Sequence, residues 1–110
     1  MGFFGNLFKK KFETVSPAMA KQLQSEGALL IDVRESHEYK SGHAAGARHI
    51  PLNSLPNRLR EIPKERPILV ICQSGARSSS AANYLAGQGY NVTNVSGGTA
   101  NWRAKGLPIS

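Results

Sequence analysis

The 110-residue chain has room for a single domain, and its 40% hydrophobic and 19% charged residues exclude an intrinsically disordered polypeptide. No apolar run approaches the ~20 residues that a membrane-spanning helix requires. Fourteen Lys and Arg against seven Asp and Glu leave a charge of +7, which suits small anions, nucleic acid or an anionic membrane face as partners.

The first eleven residues read as a basic amphipathic extension, set apart from a domain over residues 12–110. Phe3, Phe4, Leu7, Phe8 and Phe12 share one helical face, and Asn6, Lys9 and Lys10 turn away from it. The lysines follow the apolar residues, the reverse of a secretory signal, and Asn6 replaces the Ser or Thr of a myristoylation site. Residues 1–12 suit a weak contact with a membrane surface; the plainer alternatives are an arm packed on its own domain or frayed in solvent.

Beyond this arm, helical patterns alternate with short apolar runs. Ser16-Pro17 starts a helix that continues through Met19, Ala20 and Leu23 and stops at Gly27. Ala28 to Val33 is apolar without alternation, as in a strand covered on both faces. A short helix over Glu35 to Lys40 ends before Gly42, and Arg48 to Ile50 is a weak strand closed by Pro51. Ser54 to Ile62 reads as another short helix. Ile68 to Cys72 is the strongest strand signal in the chain. A long helix from Ala76 to Ala86, a strand from Tyr90 to Val95, the turn Ser96-Gly97-Gly98 and a helix carrying Trp102 complete the series. Strands alternating with helices predict an α/β domain with a parallel sheet and helices on both faces.

In such a sheet ligands bind beyond the carboxyl ends of the strands, where loops turn into helices. Cys72, the only cysteine, stands at that point on the most apolar strand, the one expected at the centre of the sheet. A single thiol excludes an intramolecular disulfide or a multi-thiolate zinc site and suits a reducing, cytoplasmic setting. The loop Gln73-Ser74-Gly75-Ala76-Arg77-Ser78 opens directly into a helix. Its small residues and glycine let successive N–H groups converge on one point, an anion-binding nest reinforced by the helix dipole. A cysteine at its centre is stabilised as thiolate, the nucleophilic form. Arg77 adds positive charge and bidentate donors, and Ser74 and Ser78 add hydroxyl donors. A lone strand-end cysteine is more often a small core hydrophobe, and Arg77 alone reads equally as a surface ion-pair partner. The coincidence of glycine, arginine and helix start favours the reactive thiolate.

At this point the sequence resembles the rhodanese (thiosulfate sulfurtransferase) family in its single-domain form, over roughly residues 12–108. The resemblance rests on Asp32-Val33-Arg34-Glu35 with Glu38-Tyr39, on Gly42-His43 with Gly46-Ala47, and on His49-Ile50-Pro51-Leu52. It continues through Cys72 to Ser78 and ends in Gly97-Gly98, Trp102 and Gly106-Leu107-Pro108. Ala44-Ala45 departs from the family's usual isoleucine and proline, a matter of packing rather than chemistry. The resemblance implies a central parallel sheet of about five strands. It also implies that Cys72 takes the outer sulfur of a donor such as thiosulfate or a persulfide, becomes a persulfide, and passes that sulfur to a thiol, cyanide or protein acceptor. Residues 73–78 would bind the donor and stabilise the persulfide, with Arg77 holding the donor dianion. Asp32, Arg34 and Glu38 would support the loop. Asp32, the only Asp, is expected to pair with an arginine, and Glu38 is read as structural rather than catalytic. No metal or organic cofactor is implied.

Three other readings compete. A phosphatase or arsenate reductase on a related fold would place five residues between Cys and Arg, whereas four stand here, and residues 73–78 hold no carboxylate to act as general acid. A docking module without turnover would be expected to lack the nucleophile or a compact loop, although the basic arm is compatible with it. A persulfide carrier needs the same cysteine as the enzyme. Nucleic acid is not expected, because the charge is scattered, Lys9-Lys10-Lys11 is the only basic run, and no stretch interleaves basic and aromatic residues. His37, His43 and His49 stand six apart, which matches no usual metal pair; His43 is expected to hold a turn through hydrogen bonds, and Trp102 to pack in the core.

Overall fold

The structure, a computed structural model, describes residues 11–110; the amphipathic extension expected over residues 1–11 lies, apart from Lys11, outside the described residues. The elements run β1 (Glu13–Val15), α1 (Pro17–Ser25), β2 (Leu29–Asp32), α2 (Ser36–Lys40) and β3 (Arg48–His49). Two 3₁₀ segments follow (Leu52–Asn57 and Leu59–Glu61), then β4 (Ile68–Ile71), α3 (Ala76–Gly87), β5 (Val92–Val95) and α4 (Gly98–Ala104). The five strands form one sheet in the order β1-β5-β4-β2-β3, and every pairing is parallel.

Side-chain parity divides the core into two layers. Leu29, Ile31 and Val33, with Ile68, Val70 and Cys72, face Ala81, Ala82 and Leu85 of α3. The intervening Leu30, Leu69 and Ile71 face the opposite side, where Ala20 of α1 and Trp102 of α4 pack. Alternation along a strand therefore sends Cys72 to the α3 side together with Val70. Trp102 is fully buried and donates its indole N–H to Pro108 O at 2.8 Å.

The sequence and the structure differ at two elements. The helix expected over Ser54 to Ile62 is instead the pair of 3₁₀ segments, because Pro56 lies within it. Proline has no N–H for the α-helical bond, and its ring clashes with the preceding turn. The tighter bonds Arg58 N–H to Leu55 O and Ile62 N–H to Leu59 O replace it. The sequence also assigned no strand to Glu13–Val15. It is three residues long, two of them exposed, and among the described residues it pairs with β5 alone, so no apolar run announces it.

The sheet order positions the site. From β2 the chain moves outward to β3, whereas from the central β4 it moves the other way, to β5. The chain thus leaves β2 and β4 in opposite directions, the switch point at which open parallel sheets bind ligands. Arg34 follows β2 there, and Cys72 follows β4.

Candidate active site

Cys72 follows β4 directly and is 1% exposed. The loop after it curls back so that the Gly75 N–H points at Cys72 Sγ, 3.1 Å away. Gly75 is the N-cap of α3 and has φ +112°, a left-handed conformation that side chains resist. The first bond of the helix is Ser79 N–H to Gly75 O, which leaves the N–H groups of the first turn free to face the loop interior. Burial is the strongest single influence on the Cys72 thiol and pushes its pKa up. Hydrogen bonds from the Ser78 hydroxyl and from the N–H groups of Ser78, Gly75 and Ser74 together outweigh it, and the net result lies below the ordinary thiol value. The loop therefore holds its sulfur in a nest that favours the thiolate.

Ser78 is fully buried, and its hydroxyl donates to Asn94 Oδ1 of β5 at 2.6 Å. A hydroxyl has one proton, so Ser78 serves the sulfur only when it turns from Asn94 or when Asn94 presents its amide N–H instead. The backbone donors are the constant part of the nest.

The loop is fixed from two sides. On one side, Thr99 of α4 donates both its N–H (2.7 Å) and its hydroxyl (3.0 Å) to Cys72 O, and the Ala100 N–H reaches Gln73 O at 3.2 Å. Gly98, at φ +61°, makes this approach possible: a Cβ there would sit 2.5 Å from Gln73 C and 2.6 Å from Gln73 O. On the other side stands Arg34. Its Nε and Nη2 grip the Asp32 carboxylate at 2.8–3.1 Å, Nη2 also donates to Gly42 O at 2.7 Å, and Nη1 donates to Gln73 Oε1 at 3.2 Å. With Asp32 at 0% and Arg34 at 3% exposure, removing either partner would strand a buried charge, at about 3–5 kcal/mol. This pair ties the end of β2, the turn at Gly42 and the cysteine loop to one another.

Arg77 reaches across to α2 and forms a two-pronged ion pair with Glu38, Nη1–Oε1 2.7 Å and Nη2–Oε2 2.9 Å. Arg77 holds the Glu38 carboxyl down at about 2, helped by the Glu35 N–H and opposed by burial. Glu38 also completes a capping box with Glu35 at the start of α2. Tyr39 on the same helix is stacked between His43 (3.7 Å) and His49 (4.6 Å). The nitrogens His43 Nδ1 and His49 Nε2 each face a backbone carbonyl, Tyr39 O and Arg34 O, and a carbonyl only accepts, so each carries a proton. These contacts seat α2, and with it Glu38.

Gln73, Arg77 and Ser78 thus have side chains in the network around Cys72, together with Asp32, Arg34 and Glu38; Ser74 and Gly75 contribute N–H groups, and Ala76 opens the helix. Sequence reasoning overlooked Asn94 and Thr99, and it placed Gly98 in a turn and in the family pattern without giving it a contact. Asn94 left no clear trace, since Val92 to Val95 reads Val-Thr-Asn-Val, with two polar residues between the valines. A surface cavity of about 500 Å³ lies beside α3, lined by Lys11, Phe12, Ala76, Ser79, Ser80 and Asn83; Cys72 is not among its walls, so it does not define the sulfur site.

A family model described as the rhodanese-like domain matches residues 16–105. The chain belongs to this family. Among curated rhodanese relatives, a protein named thiosulfate sulfurtransferase GlpE from Pseudomonas entomophila (strain L48) is 40% identical over 95 residues, covering 86% of this chain and 87% of that protein. A protein named sulfurtransferase from Allochromatium vinosum is 40% identical over 99 residues, covering 88% of this chain and 92% of its own. Among solved structures, a rhodanese-related protein from Thermoplasma volcanium superposes with a TM-score of 0.84 at 27% identity, covering 90% of this chain and 98% of that one. The rhodanese-like architecture expected from the sequence is the one observed.

Proposed function

We propose that this chain is a sulfurtransferase that carries sulfane sulfur as a persulfide on Cys72. The observation that carries the reading is the buried sulfur in a nest of N–H groups, its pKa drawn below the ordinary thiol value against the effect of burial. The names of relatives with 40% identity point the same way. In the first half-reaction the Cys72 thiolate attacks the outer sulfur of a donor, thiosulfate or a persulfide. A new S–S bond forms to Cys72 as the donor's S–S bond breaks, and sulfite or a thiolate leaves with the electron pair. The N–H groups of Ser74, Gly75 and Ser78 hold the resulting persulfide anion. In the second, a thiol or cyanide takes the outer sulfur and restores the Cys72 thiolate, a double displacement with ping-pong kinetics. A protein acceptor would make the same chain a persulfide carrier.

Phosphate-ester cleavage is the weaker reading. Four residues between Cys72 and Arg77 make a smaller cradle than phosphatases use. Glu38, the carboxylate paired to this loop, is held ionised by Arg77 and has no proton to give at neutral pH.

The deciding experiment is the intact mass of the purified protein after incubation with thiosulfate, repeated with Cys72→Ser and after adding cyanide or dithiothreitol. The expected result is a gain of one sulfur that requires Cys72 and disappears with the acceptor. An unchanged mass with the cysteine still open to alkylation would overturn the reading and leave phosphatase or docking roles to be tested.

A further inference from the structure

Each guanidinium identified at this site faces a carboxylate. Arg34 is bound to Asp32 and Arg77 to Glu38, and Glu35 acts on Arg77 through space as a second negative charge. The chain as a whole carries +7, yet the arginine of the cysteine loop has its charge balanced on the spot. Arg77 still offers N–H donors, since the pair with Glu38 engages two of the five. What it lacks is net positive charge.

That balance bears on which donor the site prefers, given the sulfurtransferase reading above. Attack of a thiolate on thiosulfate gathers three negative charges: the Cys72 sulfur and the dianion go to a persulfide anion and sulfite dianion. Attack on a hydropersulfide R–S–SH gathers one, and yields a Cys72 hydropersulfide and R–S⁻. In both cases one S–S bond forms and one breaks, with no net oxidation. An unbalanced guanidinium beside the sulfur would assist the first reaction far more than the second. We propose that Glu38 is a specificity-determining residue, which by balancing Arg77 turns the site away from dianionic thiosulfate and toward hydropersulfide donors of little net charge.

The test is a charge cycle at residues 38 and 77, read as the ratio of kcat/KM for thiosulfate to that for cysteine persulfide. Glu38→Gln retains an acceptor oxygen for Arg77 but unmasks its charge, and should raise the ratio by about three- to tenfold. Arg77→Gln leaves Glu38 unbalanced and should lower it by a similar factor. The double variant is neutral again, and its ratio should return to within about twofold of the parent. The rate of Cys72 alkylation by iodoacetate relative to iodoacetamide should follow the same order, independently of sulfur transfer. Glu35→Gln, at an exposed position, should move both ratios in the direction of Glu38→Gln by a smaller factor, and serves in its place if Glu38→Gln is poorly folded. If Glu38 only supports the loop, activities with the two donors fall together, both ratios stay flat and the double variant restores neither; that result overturns the proposal alone. If no form takes sulfur from either donor, the sulfurtransferase reading fails and the donor preference with it.

Discussion

Glu38 shows how much of one residue's work a sequence conceals. Its place beside Tyr39 in the family pattern suggested a structural role. Only the fold reveals that its carboxylate joins two things, the Arg77 guanidinium and the Glu35 N–H at the start of α2. Its stability contribution has a defined pH window. The folded pKa of about 2 lies below the ordinary 4.5, so the stabilisation is complete above about pH 5 and is lost as pH falls through 4.5 toward 2. Because the Arg77 side chain is 38% exposed, solvent screening limits the effect to about 1 kcal/mol. Urea denaturation of Glu38→Gln should therefore show a deficit of that size at pH 7 that closes near pH 2. A deficit independent of pH would mean lost packing rather than lost charge. The pairing of Asp32 with an arginine was legible in advance, because a buried carboxylate at a strand end needs a partner. The partner of Arg77 was not, since Glu38 and Arg77 lie 39 residues apart in sequence.

At the scale of elements, the long helix after Cys72 was readable from the glycines that bound it, and the strands with dense apolar runs because burial on both faces leaves a strong composition signal. β1 left none, being a three-residue edge strand, and the segment from Ser54 to Ile62 read as a helix although a proline lies inside it. The junction between α4 and the cysteine loop was likewise hidden. Gly97-Gly98 reads as a turn, whereas Gly98 is where one backbone lies against another. Gly98→Ala should thus act on the loop rather than on the helix. The added methyl meets main chain, which yields less than a flexible side chain would, and the residue must also keep φ +61°. We expect a loss of at least about 2 kcal/mol in thermal or urea unfolding, and slower Cys72 alkylation even where the variant remains folded. Gly106→Ala, at φ +75° with open space around its Cβ, is the control for backbone strain alone.

Taken as a whole, the molecule carries a surplus of positive charge that is not concentrated on the arginines beside its sulfur. Such a surplus steers anions to the protein at long range, while selection at the site depends on local balance. The two effects separate by ionic strength. Raising salt from about 0.01 to about 0.15 M shortens the screening length from roughly 30 to 8 Å. Over that interval kcat/KM for thiosulfate should fall severalfold, and that for a zwitterionic persulfide should hardly change. A flat response with thiosulfate would mean that the surface charge plays no part in delivering it. The dense apolar run of Ile68 to Cys72 pointed to the central strand, and β4 is central; the order of the other strands around it was beyond the sequence. The pairing of β1 with β5, the first strand with the last, is as non-local as the chain allows.

The clasp between Thr99 and the carbonyl of Cys72 also fixes an order of events. During synthesis the cysteine leaves the ribosome before the residues that clamp its loop, so the emerging chain carries an unclamped thiol. The nest reaches its final shape only after β5 and the start of α4 have been translated and docked. The final geometry of the loop thus rests on a residue 27 positions further along the chain, and belongs to the completed fold rather than to the cysteine segment alone.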